Sequence, residues 1–331
     1  MDTTHRRFPL FRAVLLLAAL LLPGTALHAE QVAPTSEAGA AARNTDGTSA
    51  VTIEESVDPA APTPSAAHPA LWKVADADTT IWLFGTVHIL PPDIDWFNGP
   101  VAEAFDHSDQ LVTEIIDPGP ARMSALITEK ATRLPGSTLR DTLEPEDRAE
   151  YEAALTDLAV PVTAFDRFEA WYAAVGLSTL PLMQLGYATD NGVEKALVAR
   201  GDKRAMAHIG LETPDYQIGL FDTLPEPTQE RYLASVLDQL PTIKTDLAAM
   251  VDSWKKGDAD ELAALINDAE SDAELLEILL IRRNRAWAGW IGKRLEQPGT
   301  VFIAVGAGHL AGVGSVQDQL AATGIEAKRV Q

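Results

Sequence analysis

The sequence predicts a mixed α/β fold: a small central sheet that presents Gly-x-x-His segments at its strand ends, covered by many helices. Three observations predict it. Residues 81–84 and 300–305 are apolar runs rich in β-branched and aromatic side chains, as suits strands covered on both faces. Each run leads into the same pattern, Gly85-Thr86-Val87-His88 and Gly306-Ala307-Gly308-His309, which delivers a histidine past a strand end. Between the two lie long stretches of helical periodicity, several opened by a proline at a first-turn position.

Taken in order, the chain of 331 residues begins with a basic n-region (His5, Arg6, Arg7, Arg12), an apolar segment at 13–22 and a candidate cleavage site at Leu27-His28-Ala29. Residues 1–29 therefore read as a Sec signal peptide, and the mature protein as periplasmic or secreted. The apolar run falls short of the roughly 20 residues that a membrane span requires, so no stable span is expected after cleavage. Residues 30–69 are rich in Ala, Pro, Thr and acids and read as a disordered leader. A single domain is expected from 70 to 331. The chain has no cysteine, so no disulfide supports an exported fold. The formal charge is −22, and loss of three arginines and one aspartate with the signal peptide takes it to −24. That balance, with no basic cluster past the first dozen residues, argues against nucleic acid as a partner.

Residues 71–74 and 80–84 read as a hairpin turned by Asp76-Ala77-Asp78, and Pro91-Pro92 hold a loop after His88. A short helix at 100–108 precedes a strand at 110–115. Glu114 is the anomaly there, a carboxylate in an apolar strand that must pair, bind metal or be protonated, unless it faces solvent from an edge. Residues 119–200 read as mostly helical, with a break or kink at Pro181. Glu194 falls in the first turn of a helix, where the dipole favours it; that role and a place in the site are both open. A strand at 204–210 leads to Glu212, and Thr213-Pro214 supplies an N-cap and first helical residue. Gln217 follows about one and a half turns later. Residues 225–296 are helical again. In the last long helix Leu276, Leu280, Arg283, Trp287 and Ile291 share one stripe, so Arg283 interrupts an apolar face and must meet a carboxylate or a ligand oxyanion. A final strand is expected near 326–330.

The chain resembles the TraB/GumN family, relatives of the Tiki metalloproteases. The resemblance rests on Gly85-Thr86-Val87-His88, Leu111-Val112-Thr113-Glu114, Gly192-Val193-Glu194, Gly210-Leu211-Glu212-Thr213 with Gln217, Arg283-Asn284 and Val305-Gly306-Ala307-Gly308-His309-Leu310, and runs from about residue 71 to the C-terminus.

Two imidazoles and one or two carboxylates at strand ends form a plausible divalent-metal set, of the kind that manganese, cobalt or zinc accepts. His88, Glu114 and His309 are the expected ligands. Glu212, Arg283 and Asn284 are the expected catalytic groups, as base, oxyanion partner and orienter, and Gln217 contacts substrate or water; which glutamate binds metal and which acts as base stays open. There is no His-Glu-x-x-His helix, so the site depends on separated segments converging. Likeness to the Tiki branch implies a metal-dependent hydrolase acting on a peptide or protein substrate. The other reading implied by the family is a non-catalytic peptide- or haem-binding protein that sequesters its ligand. A role in exopolysaccharide export, suggested by the GumN name, has no residue-level support.

Overall fold

The computed structural model describes residues 65–91, 94–185, 187, 191–266 and 272–331, so the expected signal peptide and most of the expected leader lie outside the described residues. The strands are β1 (Ser65–Ala66), β2 (Leu71–Ala75), β3 (Thr79–Thr86), β4 (Ile94–Asp95), β5 (Gln110–Thr113), β6 (Ala207–Gly210), β7 (Gly299–Gly306) and β8 (Lys328–Arg329). The helices used below are α1 (Gly99–Asp106), α2 (Ala170–Gln184), α3 (Val193–Lys203), α4 (Pro214–Asp222), α5 (Ile243–Lys256) and α6 (Arg282–Arg294). A five-residue π-helical turn, Glu277–Ile281, runs directly into α6.

Six strands form one sheet in the order β6-β5-β7-β3-β2-β8. The inner ladder β6, β5, β7, β3 is parallel throughout, and β2 and β8 close one side antiparallel. The β2–β3 hairpin is turned as the sequence indicates: Asp76 Oδ1 accepts from the backbone N–H groups of Asp78 and Thr79. The Trp254 indole of α5 donates to Gly85 O at 2.8 Å and pins the end of β3.

Alternation along the strands fills two cores. Phe84, Phe302 and Leu111 face a helical layer that includes α1, where the Phe105 and Phe302 rings meet at 5.3 Å. Leu83, Ile303, Val305 and Val112 face α6 through Trp287 and Ile291. The sheet is therefore buried on both faces, which is why its strands read as unbroken apolar runs. Among the described residues no helix is long and apolar enough to cross a membrane.

Three local expectations are revised. Residues 65–69 are ordered, ahead of the expected start at 70: β1 pairs with β4, Ala67 is fully buried, and His68 N donates to Lys255 O. Pro181 does not break α2, which continues through it to Gln184; it lies in the last turn, with only three helical residues after it. The last long helix is not one continuous α-helix, because the π turn inserts an extra residue before Arg283.

Candidate active site at the carboxyl ends of the parallel strands

In parallel sheets, ligands bind outside the carboxyl ends of the strands. Four such ends lie side by side here. His88 follows β3 by two residues, Glu114 follows β5 directly, Glu212 follows β6 by two, and His309 sits in a 3₁₀ turn, Ala307–Leu310, after β7. Pairing continues past β5 and β6, with Glu212 N donating to Glu114 O at 2.8 Å. All seven polar side chains singled out in the sequence meet at this edge. Glu114 and Arg283 are fully buried, His309 is 1 % exposed and His88 4 %.

Arg283 organises the centre. Its Nη2 donates to Glu114 Oε2 at 2.6 Å and to Glu212 Oε2 at 2.9 Å, and its Nε donates to Glu212 Oε1 at 2.9 Å. Its Nη1 donates to Leu279 O at 3.0 Å and to His309 Nε2 at 3.1 Å. Leu279 belongs to the π turn, where the altered helical ladder commonly offers a carbonyl to a side chain. Gln217 Nε2 bridges the same two carboxylates, at 2.8 Å from Glu114 and 3.0 Å from Glu212. The Trp287 indole donates to Glu212 Oε1 at 3.0 Å, and its ring lies under the guanidinium. Both oxygens of Glu212 are thus saturated. Glu114 Oε1 accepts from Gly306 N at 2.8 Å.

Each imidazole is held from behind. His309 Nδ1 donates to Asn284 Oδ1 at 2.5 Å, and Asn284 Nδ2 in turn donates to Gly314 O. Asn284 Oδ1 can only accept, so this network assigns the proton to Nδ1 and leaves Nε2 a lone pair. His88 Nδ1 lies 3.3 Å from Glu194 Oε2, a loosely aligned ion-pair contact. His88 Nε2 is buried with no partner among the described residues. Glu194 arrives because the first residue of α3 docks on the histidine segment, Val193 N donating to Val87 O. Of the two roles left open for Glu194, it therefore has a place in the site.

The motif glycines do different jobs. A Cβ on Gly85 would lie 3.0 Å from the Cα and Cβ of Ala307, so Gly85 lets the His309 turn close on β3. A Cβ on Gly306 would point into the site, 3.1 Å from Glu114 Oε1, 3.7 Å from His309 Cδ2 and 3.8 Å from His88 Nε2. Gly306 therefore leaves a small cradle bordered by the three expected ligands.

Charge follows the same geometry. Burial raises the Glu114 carboxyl, but Arg283, His309, His88 and the Gly306 N–H outweigh it and hold the group at about 2. Burial and then Arg283 push His309 down to about 3, so it stays neutral. Burial also lowers His88, but Glu194 beside it reverses the sign and raises it. Burial raises Glu194. One consequence is measurable on metal-free protein. His309 takes up a proton in the unfolded chain near 6.5 and in the folded chain only near 3, so stability is lost as pH falls through that window, at up to about 1.4 kcal/mol per pH unit. Glu114 adds to the loss below 4.5, while the raised Glu194 opposes it. Comparing denaturant midpoints of the parent and His309→Gln from pH 7 to 4 isolates the histidine: the parent should lose more stability over that range. Parallel curves would mean that His309 titrates normally.

As a metal site, the donor set fits in chemistry and is incomplete in arrangement. Both imidazoles have Nδ1 facing an oxygen acceptor and Nε2 turned inward, the outer-shell pattern of metal-ligating histidines. The orphaned His88 Nε2 and the Gly306 cradle point the same way. Yet the His309 Nε2 lone pair is engaged by Arg283, and among the described residues no group of three or more His, Cys, Asp or Glu side chains stands ready to hold an ion. Glu194 and Trp287 were not assigned to the site from sequence. Glu194 did carry a signal in its Gly192-Val193-Glu194 motif, and Trp287 in its place one turn after Arg283.

Fold and site together define a class: an α/β protein with a buried His/Glu/Arg centre at the carboxyl edge of a four-strand parallel ladder. The family model of the TraB/PrgY/gumN family matches residues 70–329, and the chain belongs to that family. Among curated proteins it is similar to the uncharacterized protein YbaP of Escherichia coli (strain K12), 23% identical over 241 residues, covering 72% of this chain and 86% of that one. YbaP of Shigella flexneri matches to the same extent. No solved structure matches the chain.

Proposed function

We propose that this protein is a hydrolase of peptide bonds that works with one divalent ion, manganese, cobalt or zinc, and acts outside the cytoplasm as its N-terminus directs. The observation that carries the reading is the Gly306 cradle, into which the buried His88 presents an unpartnered Nε2 beside Glu114 Oε1. His88 Nε2, Glu114 Oε1 and His309 Nε2 would hold the ion, the last on release from Arg283 Nη1. The ion supplies an acidified water and a Lewis acid.

The chain's own residues do the rest. Glu194 and Asn284 fix the two imidazoles by their Nδ1 atoms. Glu212, saturated by Arg283, Trp287 and Gln217, anchors the guanidinium. Arg283 brings a fixed positive charge to stabilise the oxyanion of a tetrahedral intermediate, in a site from which water is largely excluded. Gln217 ties Glu114 to Glu212 and keeps both carboxylates in register.

The test is a peptide-library digest read by mass spectrometry, with manganese, cobalt, zinc or chelator, beside calorimetry of each ion. We expect cleavage that chelator removes, and His88→Asn to lose both ion binding and at least about 100-fold in rate. Peptide capture without cleavage under every ion would replace the hydrolase with the sequestering reading. Cleavage that chelator leaves untouched would remove the ion from the proposal.

A further inference from the structure

Thr86 closes β3 and is fully buried, and its Oγ1 has no partner among the described residues. A buried hydroxyl without a partner costs about 1–3 kcal/mol, a penalty that an isosteric valine at the end of this apolar strand would avoid. Its place in the ladder supplies a reason for the hydroxyl. Thr86 is the register partner of Gly306 across the β3–β7 pair. Register partners on neighbouring strands project to the same face of a sheet. Thr86 therefore rises beside the cradle that the missing Gly306 side chain leaves. His88 Nε2, the other orphaned buried atom of this strand end, lies 3.8 Å from where that side chain would begin. Two unsatisfied polar atoms thus end one strand two residues apart; with His88 Nε2 given to the ion, the Thr86 hydroxyl is the one left to meet a water or substrate oxygen there.

We propose that the Thr86 hydroxyl is part of the reacting centre and holds the attacking water in line beside His88. This rests on the hydrolase reading above. The threonine positions the water through a hydrogen bond and forms no covalent bond itself. A structural threonine and a water-holding threonine differ in what substitution does, because removing an orphaned hydroxyl relieves a penalty while removing a water ligand slows a reaction.

The experiment compares Thr86→Val and Thr86→Ser in the full chain, using the peptide that the parent cleaves fastest in the library digest. Thr86→Val should lower kcat about 10- to 100-fold with KM within about 2-fold. Its melting temperature should equal or exceed that of the parent, and manganese should bind as before. Thr86→Ser should restore most of kcat. Parental kcat in Thr86→Val overturns the inference, as does a loss of melting temperature and manganese binding in step with rate, which would make the hydroxyl structural. A parent that cleaves no peptide with any ion overturns the hydrolase reading first, and this inference with it.

Discussion

Gly306→Ala is expected to abolish divalent-ion binding and hydrolysis while leaving the fold in place. The backbone permits the change, since Gly306 has φ −49° and ψ 132°, open to any residue. The added methyl would stand 3.1 Å from Glu114 Oε1 and 3.8 Å from His88 Nε2, two of the groups that would hold an ion in the proposed site. A contact of that length asks Glu114 Oε1 to give by a few tenths of an ångström, a small swing for the oxygen that Arg283 and Gln217, both on Oε2, do not hold. The gain from a stiffer unfolded chain is about 0.4–1 kcal/mol and offsets it. We therefore expect a melting temperature within a few degrees of the parent, with ion affinity and kcat/KM down at least about 100-fold. Calorimetry with manganese beside a thermal melt reads both. An alanine variant that binds manganese as tightly as the parent would place the ion elsewhere. Gly85→Ala is the informative contrast, because its methyl would meet the backbone of Ala307 and so disturb the turn that carries His309.

Much of this site was legible because each residue broke a local rule. Glu114 interrupts an apolar strand, Arg283 interrupts an apolar helical stripe, and the two Gly-x-x-His segments each end an apolar run. Residues that obey local rules stay hidden. A carboxylate in a first helical turn is explained by the helix dipole, so Glu194 gave no local sign that it faces His88. Trp287 fits its apolar stripe, and only the folded state shows its indole on Glu212. Thr86 in a strand is ordinary β-propensity.

The strand runs at 81–84, 110–115 and 300–305 were readable from composition and period. Their order in the sheet was not, because β5 pairs with β6 across 93 residues of intervening chain and with β7 across 185. The π turn was equally invisible, since Leu276, Leu280 and Arg283 fit a helical stripe in either register. Residues 65–69 carry no apolar run, and what orders them is a short ladder with β4 and a bond to the end of α5.

Arg283→Met should be the most destabilising single change at the centre. The side chain is fully buried and satisfies two carboxylates, one imidazole and one backbone carbonyl. Methionine fills a similar volume, so the cost is electrostatic rather than a cavity. Glu114, now held near 2 by the guanidinium, would keep a burial penalty with its main counter-charge gone. Removing one partner of a buried ion pair costs about 3–5 kcal/mol, because the other charge is left in a low dielectric. For a domain of this size that is a fall in melting temperature of roughly 6–20 °C at neutral pH. The sign of the remedy is the sharper test. Glu114→Gln on its own should destabilise, since it takes a charge from Arg283. In the Arg283→Met background it should stabilise, since it removes the unpaired charge. Coupling within this double-mutant cycle should be about 1–3 kcal/mol. Additive effects would mean that Glu114 and Arg283 do not depend on one another, and the centre would then need a different account of how two buried carboxylates stand side by side.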